Sequence, residues 1–273
     1  MADQGERPAQ LPNEALWRAL FDEPSSAHRR RRSFRLLPAA PRCKGCHAPF
    51  RGPGSLAMRA IGRRPSNLNP RYCSACEEFA RTHPGGAELE ITMLFGDIRG
   101  STTLAQRLGT AEFTRLVNRF YIAATGVLVD LDALIDRLLG DEVVAHFVPG
   151  FVGDQHARVA VRAAQGLLGA TGHGDPGGPW VPVGIGVHTG TVFIGTVGER
   201  GKTDLTVLGD NANVAARLAS LAGPGEVLVS EVTARAAGLD GHGTEPRRLE
   251  LKGRSEPVDV RVLRVDQSRT DQG

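Results

Sequence analysis

Two patterns of apolar and polar residues divide the chain, and the change between them falls near residue 88. Beyond it, apolar runs separated by turns predict strands at 89–95, 133–139, 142–148, 181–188, 191–197, 204–208, 226–230 and 248–264. Apolar residues at helical spacing predict helices that begin near Ser101 and cover 111–129, 154–170 and 211–221. Because strands and helices alternate, we expect an α+β domain over 88–265 in which helices cover a sheet.

The part of the chain before residue 88 is less regular. A short amphipathic helix is predicted for 11–23 by the spacing of Leu11, Leu16, Leu20 and Phe21. The basic run from His28 to Arg32 is typical of a flexible linker. We therefore divide this part into an N-terminal helix with a basic linker (1–40) and a small module (41–80), followed by a turn-rich boundary.

The net charge of +3 conceals an uneven distribution. Residues 1–87 carry 15 basic and 7 acidic side chains, whereas 88–273 carry 18 and 23, and no acidic residue occurs between Pro24 and Cys76. Such a region suits an anionic partner (nucleic acid, anionic lipid or an acidic protein face), or it is a solvated linker. No apolar run reaches the roughly 18 residues of a membrane span, and the N-terminus lacks the apolar segment of a signal peptide. We therefore expect no transmembrane segment and a cytoplasmic location.

All four cysteines lie in the small module, as two C-x2-C pairs separated by 26 residues: Cys43, Cys46, Cys73 and Cys76. Each pair can offer two thiolates from one tight turn, and two such turns complete a tetrahedral zinc site. The alternative is a pair of disulfides, which a reducing compartment disfavours. The spacing therefore predicts a structural Zn²⁺ that supplies much of the folding free energy of the module.

Two carboxylates stand at the ends of predicted strands. Asp97 follows the first buried strand and precedes Gly100, Ser101 and Thr102, which lead into a helix N-terminus. A carboxylate can hold a cation there while backbone N–H groups face an anion, a combination that suits a metal-bound polyphosphate. Asp141 lies in a tight turn between two apolar strands, so the two aspartates could share two divalent ions. A lone aspartate at such a place is otherwise a turn or cap residue.

A polar pair interrupts the apolar helix predicted for 211–221. Asn213 and Arg217 are four residues apart and project from one helix face beside small apolar residues. The pair is either directed at a ligand or an ordinary surface pair.

Four motifs, taken together and in this order, resemble the class III nucleotidyl cyclases, which make cyclic nucleotides from nucleoside triphosphates. The motifs are FGDIRGST, GDEVVAHF, VGIGVHTGTVFIGTVG and LGDNANVAARL. The resemblance covers about 88–265 and implies a ferredoxin-like catalytic domain, here preceded by the four-cysteine zinc module. It also implies a homodimer with shared active sites and two Mg²⁺ or Mn²⁺ ions at each site.

The resemblance implies a role for several residues. Asp97 and Asp141 would hold both metal ions, with the Ile98 carbonyl as an added ligand. Asn213 would orient the ribose, and Arg217 would stabilise charge on the α-phosphate in the transition state. The triphosphate would be bound by the segment that leads into the helix and by a lysine, namely Gly100, Ser101, Thr102 and Lys252.

Base selection is where the sequence departs from the family pattern. Arg137 stands where adenylyl cyclases usually carry lysine, and Thr206 stands where many carry aspartate. Because adenine N1 is an acceptor, a cationic donor favours ATP, so we expect adenylate cyclase activity. GTP and a pyrimidine triphosphate remain alternatives, as do a catalytically degenerate binding module, a diguanylate cyclase and a nucleic-acid binder built on the basic region.

Overall fold

The computed structural model describes residues 11–22, 26–37, 41–67, 70–198, 204–239, 243–251 and 256–265. Lys252, the residue expected to bind triphosphate, lies outside these ranges. The strands of the described residues are β1 (Gly86–Ile98), β2 (Leu134–Leu139), β3 (Glu142–Phe147), β4 (Val183–Val197), β5 (Asp204–Leu208), β6 (Glu226–Ser230), β7 (Glu245–Leu249) and β8 (Val258–Arg264).

Helices flank these strands and also occur among the described residues before β1. They are α1 (Glu14–Phe21), α2 (Ser26–Arg35), α3 (Pro53–Ala60), α4 (Ser74–Thr82), α5 (Ser101–Leu108), α6 (Thr110–Asp130), α7 (Pro149–Val152), α8 (His156–Ala170), α9 (Asp210–Leu221) and α10 (Glu231–Ala237). The expected α+β fold is confirmed.

One sheet organises the larger domain, in the order β2-β3-β1-β4-β6-β8-β7, with β5 paired to β4 off this path. The central strand β1 is antiparallel to both β3 and β4, and β4 is parallel to β6. The prediction of two separate strands at 181–188 and 191–197 is wrong, because the single strand β4 runs through both ranges. Conversely, the strand expected over 248–264 is wrong in extent, because the structure has β7 and β8 there.

The two faces of the sheet bury different partners. On one face, α6, α8 and α10 cover Leu94 and Ile98 of β1 together with apolar residues of the neighbouring strands. On the other, Leu89 and Met93 of β1 share a core with α1 and the cysteine module. Successive side chains of a strand point to opposite faces, so one buried strand serves both cores. The module is therefore packed against the domain that carries the aspartates.

The N-terminal helix joins the module to the larger domain. Trp17 and Phe21 of α1 are buried, whereas Leu16, expected on the apolar face, is 38% exposed. The Trp17 ring lies 5.4 Å from that of Phe79 in the module, and Phe21 lies 5.5 Å from Phe151 in the larger domain. Aromatic contacts on both sides thus account for the amphipathic pattern of this segment.

The basic run predicted as a flexible linker lies within helix α2, so that expectation is wrong. Arg31 of this run is 1% exposed. Its guanidinium donates to the carbonyls of Gly45 (2.6 Å) and Ala133 (2.5 Å), and it lies 4.4 Å from the Phe151 ring centroid. Burial of the charge is possible because these carbonyls accept its hydrogen bonds. Ala133 is 102 residues away in the sequence, so no local pattern reveals this contact.

Across the described ranges, no helix is both long enough and apolar enough to cross a lipid bilayer.

Candidate functional site

The two candidate metal aspartates lie side by side. Asp97 is paired across the sheet with Glu142, the residue that follows Asp141. The backbone N–H of Ile98 donates to the Asp141 carbonyl at 3.1 Å. Both aspartates are half-buried, so their carboxylates border solvent at the same end of the sheet.

A helix N-terminus opens beside this pair. Gly100 caps α5 in the left-handed conformation (φ 66°, ψ 28°), which favours glycine, and turns the chain sharply after β1. Ser101, Thr102, Gly140 and Asp141 line an open depression of about 510 Å³. Unsatisfied N–H groups at a helix N-terminus attract anions, so the depression combines a carboxylate with an anion-binding backbone.

Arg99 occupies the space between the aspartates and helix α9. Its guanidinium forms an ion pair with the Asp97 carboxylate and donates to the Ser220 carbonyl at 3.0 Å. Burial lowers the pKa of Arg99, and the negative charge of Asp141 opposes this shift. The ordinary pKa of arginine is so high that the side chain nevertheless stays charged. The sequence analysis gave Arg99 no role, although it lies within the motif that carries Asp97.

The charge around the aspartates also affects neighbouring groups. Burial, followed by the nearby charge of Asp141, raises the pKa of Tyr121, whose hydroxyl donates to the Gly140 carbonyl at 2.8 Å. Burial likewise raises the pKa of Glu142, with Asp141 adding to the effect and Arg137 opposing it. The negative charge of Asp141 is thus felt by two neighbouring groups, although burial is the larger cause of both shifts.

Asn213 and Arg217 belong to helix α9. This helix packs on the sheet face that β1 shares with the module, where Ala215 joins the same buried cluster as Met93. Asn211 attaches the helix to β4: its side chain contacts His188 Nε2 at 3.0 Å and donates to the Thr191 carbonyl at 2.8 Å. The missing Cβ of Gly190 leaves room for the Asn211 side chain. Neither His188 nor Asn211 was singled out from the sequence, although both belong to the quoted motifs.

The two polar side chains of α9 differ in their surroundings. Asn213 is exposed, whereas Arg217 is half-buried and its Nη1 atom is buried with no hydrogen-bond partner in the described ranges. A buried donor without an acceptor is costly, so this guanidinium is suited to an anionic oxygen from a ligand or a second chain.

The residues expected to select the base meet at one carboxylate. Arg137 Nε lies 3.3 Å from Asp136 Oδ2, and Thr206 Oγ1 lies 3.5 Å from the same oxygen. Asp136 is buried at an irregularity of β2, where the pairing register with β3 shifts. Such a bulge redirects side chains, so Asp136 turns inward while Arg137 is exposed.

The four cysteines converge as the spacing predicts. Their Sγ atoms all lie within 4.8 Å of one another, and those of Cys46 and Cys73 are 3.6 Å apart. A tetrahedral site with Zn–S bonds of about 2.3 Å requires sulfurs about 3.8 Å apart. Arg63 lies 3.4 Å from Cys46 Sγ and 3.6 Å from Cys73 Sγ. The geometry therefore fits a thiolate metal site with a cation that offsets its negative charge.

Comparison with known proteins identifies the larger domain. Residues 87–262 match the family model described as the adenylate and guanylate cyclase catalytic domain. An adenylate cyclase of Anabaena cylindrica is 37% identical over 136 residues, which are 48% of this chain and 27% of that protein. An uncharacterized protein of Mycobacterium tuberculosis is 30% identical over 196 residues, 70% of this chain and 36% of that protein.

Solved structures show the same fold. The guanylyl cyclase Cya2 superposes with a TM-score of 0.61 at 26% identity, covering 68% of this chain and 98% of that one. The adenylyl cyclase CyaB of P. aeruginosa gives a TM-score of 0.57 at 27% identity, with the same coverage of 68% and 98%. The matches to the curated relatives above span between 27% and 36% of their length. The chain belongs to the class III adenylate and guanylate cyclase family.

Proposed function

We propose that the chain is a nucleotidyl cyclase that converts a nucleoside triphosphate, by preference ATP, to its 3′,5′-cyclic monophosphate and pyrophosphate. The observation that carries this proposal is the contact of Ile98 N–H with the Asp141 carbonyl, because it aligns two aspartates at the mouth of a helix N-terminus.

The donor set at the aspartates fits two Mg²⁺ or Mn²⁺ ions. Asp97 and Asp141 offer carboxylate oxygens and Ile98 a carbonyl oxygen, which are the ligands that these hard cations prefer. Divalent ions would lower the pKa of the ribose 3′-hydroxyl and neutralise the triphosphate. The backbone at Gly100, Ser101 and Thr102 would bind phosphate oxygens at the start of α5.

In the proposed reaction the 3′ oxygen attacks the α-phosphorus in line with the bond to pyrophosphate. The O3′–P bond forms, the bond to the β-phosphate bridging oxygen breaks, and the hydroxyl proton passes to solvent. Asn213 would orient the ribose, and Arg217 would stabilise the added charge on the α-phosphate. Lys252 would bind the β- and γ-phosphates of the triphosphate, which leave as pyrophosphate, in keeping with the family pattern.

We propose further that the active site is shared by two chains, with the aspartates on one and Asn213 with Arg217 on the other. The Nη1 atom of Arg217, which has no hydrogen-bond partner among the described residues, supports a contact with a ligand or a second chain. For the base, Arg137 would donate to adenine N1, with Thr206 beside it.

We also propose that Cys43, Cys46, Cys73 and Cys76 bind one structural zinc ion. The thiolate set and its spacing support this assignment. Metal analysis of protein purified under reducing conditions without chelators should give one zinc per chain. Zinc-free folded protein would contradict the assignment.

The aspartate pair provides the test of the catalytic proposal. With Mn²⁺ and ATP, Asp97→Asn and Asp141→Asn should each lose several orders of magnitude of turnover while keeping the wild-type melting temperature to within a few degrees. Glu88→Gln, an exposed carboxylate change on the same strand, is the matched control and should retain activity. Substantial cyclic product from either aspartate variant would contradict the metal assignment.

A further inference from the structure

A buried lysine connects the cysteine module to the base-selecting side chains. Lys44 lies between Cys43 and Gly45 in the first cysteine turn, and its side chain is only 5% exposed. Its ammonium contacts Asp136 Oδ1 at 2.7 Å, Asp204 Oδ1 at 3.3 Å and the Leu205 carbonyl at 2.5 Å. An ammonium has three donors, so these three acceptors satisfy it completely and fix its position.

The carboxylate that Lys44 holds is the one that both base-selecting residues contact. Lys44 binds Oδ1 of Asp136, while Oδ2 faces Arg137 Nε and Thr206 Oγ1. His146 Nε2 lies 3.7 Å from the same Oδ2. Burial opposes ionisation of Asp136, but the nearby His146 imidazole and the charge of Lys44 hold the pKa of this carboxyl below its usual range. A single ionised carboxylate thus lies between the module and both residues.

The module also holds the strand that carries Thr206. Tyr72 Oη donates to Asp204 Oδ1 at 2.6 Å and accepts from the Leu205 N–H at 3.0 Å. With Lys44 on the Leu205 carbonyl, both backbone groups of Leu205 are bound by the module. Among the described strands β5 pairs only with β4, so the module supplies the hydrogen bonds that a second neighbouring strand would otherwise give.

From these contacts we infer that Lys44 is a positioning residue for nucleobase selection, acting through Asp136 on Arg137 and through Leu205 on Thr206. This inference rests on the proposed cyclase function. Without Lys44 the buried Asp136 carboxylate loses its closest counter-charge and draws the Arg137 guanidinium toward itself, away from the base. Discrimination between purines then falls, whereas Asp97 in β1 and Asp141 in the turn between β2 and β3 keep their geometry.

The test compares Lys44→Met with Arg42→Met in the full chain. Arg42 is the matched control because it also belongs to the module, yet its guanidinium donates to the carbonyls of Phe34, Arg35, Leu37 and His47, away from Asp136. The readouts are the ATP-to-GTP ratio of kcat/KM, the separate kcat and KM values, and zinc content. Equilibrium binding of the α,β-methylene analogues of ATP and GTP reports base selection without turnover.

For Lys44→Met we expect the wild-type preference, whichever base it favours, to move at least five-fold toward unity in both kcat/KM and analogue binding. The change should lie mainly in KM, with one zinc per chain retained. Arg42→Met should keep the wild-type ratio within two-fold. An unchanged ratio in an active, zinc-loaded Lys44→Met protein would overturn the inference, and so would a wild-type enzyme without base preference.

A second variant covers the case in which Lys44→Met fails to fold. Tyr72→Phe removes only the hydroxyl that binds Asp204 and the Leu205 N–H, and should shift the ratio by about three-fold or more in the same direction, beyond the range allowed for Arg42→Met. An unchanged ratio there would also overturn the inference. Absence of cyclic product from the wild-type protein would instead refute the proposed function.

Discussion

The Arg99 guanidinium forms an ion pair with the Asp97 carboxylate. The contact occupies Asp97 Oδ2, one of the two oxygens that could bind the divalent ion proposed above, and the guanidinium also donates to the Ser220 carbonyl of α9. We therefore predict that Arg99 competes with the proposed metal ion for the Asp97 carboxylate.

Replacing Arg99 by methionine should increase the affinity of the site for metal. A partly exposed ion pair is worth up to about 1 kcal/mol, so the half-saturating Mn²⁺ concentration should fall by roughly two- to five-fold. Mn²⁺ titration of activity at saturating triphosphate measures this. Arg107→Met, an exposed arginine on α5, is the control and should leave the titration unchanged. A higher Mn²⁺ requirement in the Arg99 variant would contradict the competition.

Arg31→Met should destabilise the protein without touching the catalytic residues. The change leaves the buried Ala133 carbonyl and the partly buried Gly45 carbonyl without this donor and should cost about 2–4 kcal/mol in the free energy of unfolding. Urea unfolding measures the cost. Arg32→Met removes an exposed arginine from the same helix and should change stability little. Equal losses in the free energy of unfolding for the two variants would mean that the buried contacts of Arg31 do not stabilise the fold.

Glu226 links the three strands β6, β7 and β8. Its carboxylate accepts from Arg247 (3.0 Å) and from Arg264 (2.5 Å), and hydrogen bonding by Arg247 is the main cause that lowers the Glu226 pKa to about 2. Because the pKa is lower in the folded state, the carboxylate stabilises the protein above its ordinary pKa. That contribution is lost as the pH falls from about 4.5 through 2.

Glu226→Gln should therefore lower the free energy of unfolding by about 1–3 kcal/mol at pH 7, with a smaller difference at pH 3.5. Urea unfolding of wild type and variant at both pH values tests this. Glu245→Gln, the half-exposed partner of the same arginines, should have the smaller effect at pH 7. A difference that grows as the pH falls would contradict the assigned direction.

Part of the site could be predicted because it depends on local sequence. Asp97 and Asp141 each follow an apolar run and a glycine, and their place at the ends of neighbouring predicted strands suggests that they lie close together. The cysteine spacing was equally informative, since the two C-x2-C turns bring four sulfurs together. The site roles that the resemblance implies stay predictions.

What could not be predicted depends on contacts between distant segments. A run of five basic residues is usually solvated, and only the Ala133 carbonyl, about a hundred residues away, makes the burial of Arg31 possible. Lys44 is buried for the same reason, by Asp136 and Leu205. The sequence pattern predicts two strands over 181–188 and 191–197, whereas the structure has one continuous strand in which Gly190 makes room for Asn211.

Two inactive variants should restore each other's activity if the sites are shared. An equal mixture of freely exchanging Asp141→Ala and Arg217→Ala chains would be half heterodimer, each with one intact site of two, which gives roughly a quarter of wild-type activity. Exchange is verified with differently tagged chains. A mixture that exchanges and stays as inactive as its components would show that one chain supplies all of these residues.

The most direct measurement of the central claim is product analysis with each of the four nucleoside triphosphates and Mn²⁺. We expect 3′,5′-cyclic AMP and pyrophosphate in equal amounts, with kcat/KM for ATP about ten-fold above that for GTP, as one well-placed polar contact allows. Preference for another triphosphate would refute the assignment of Arg137 and Thr206 to adenine. No cyclic product from any triphosphate, in a folded, dimeric and metal-loaded protein, would contradict the assignment as a cyclase.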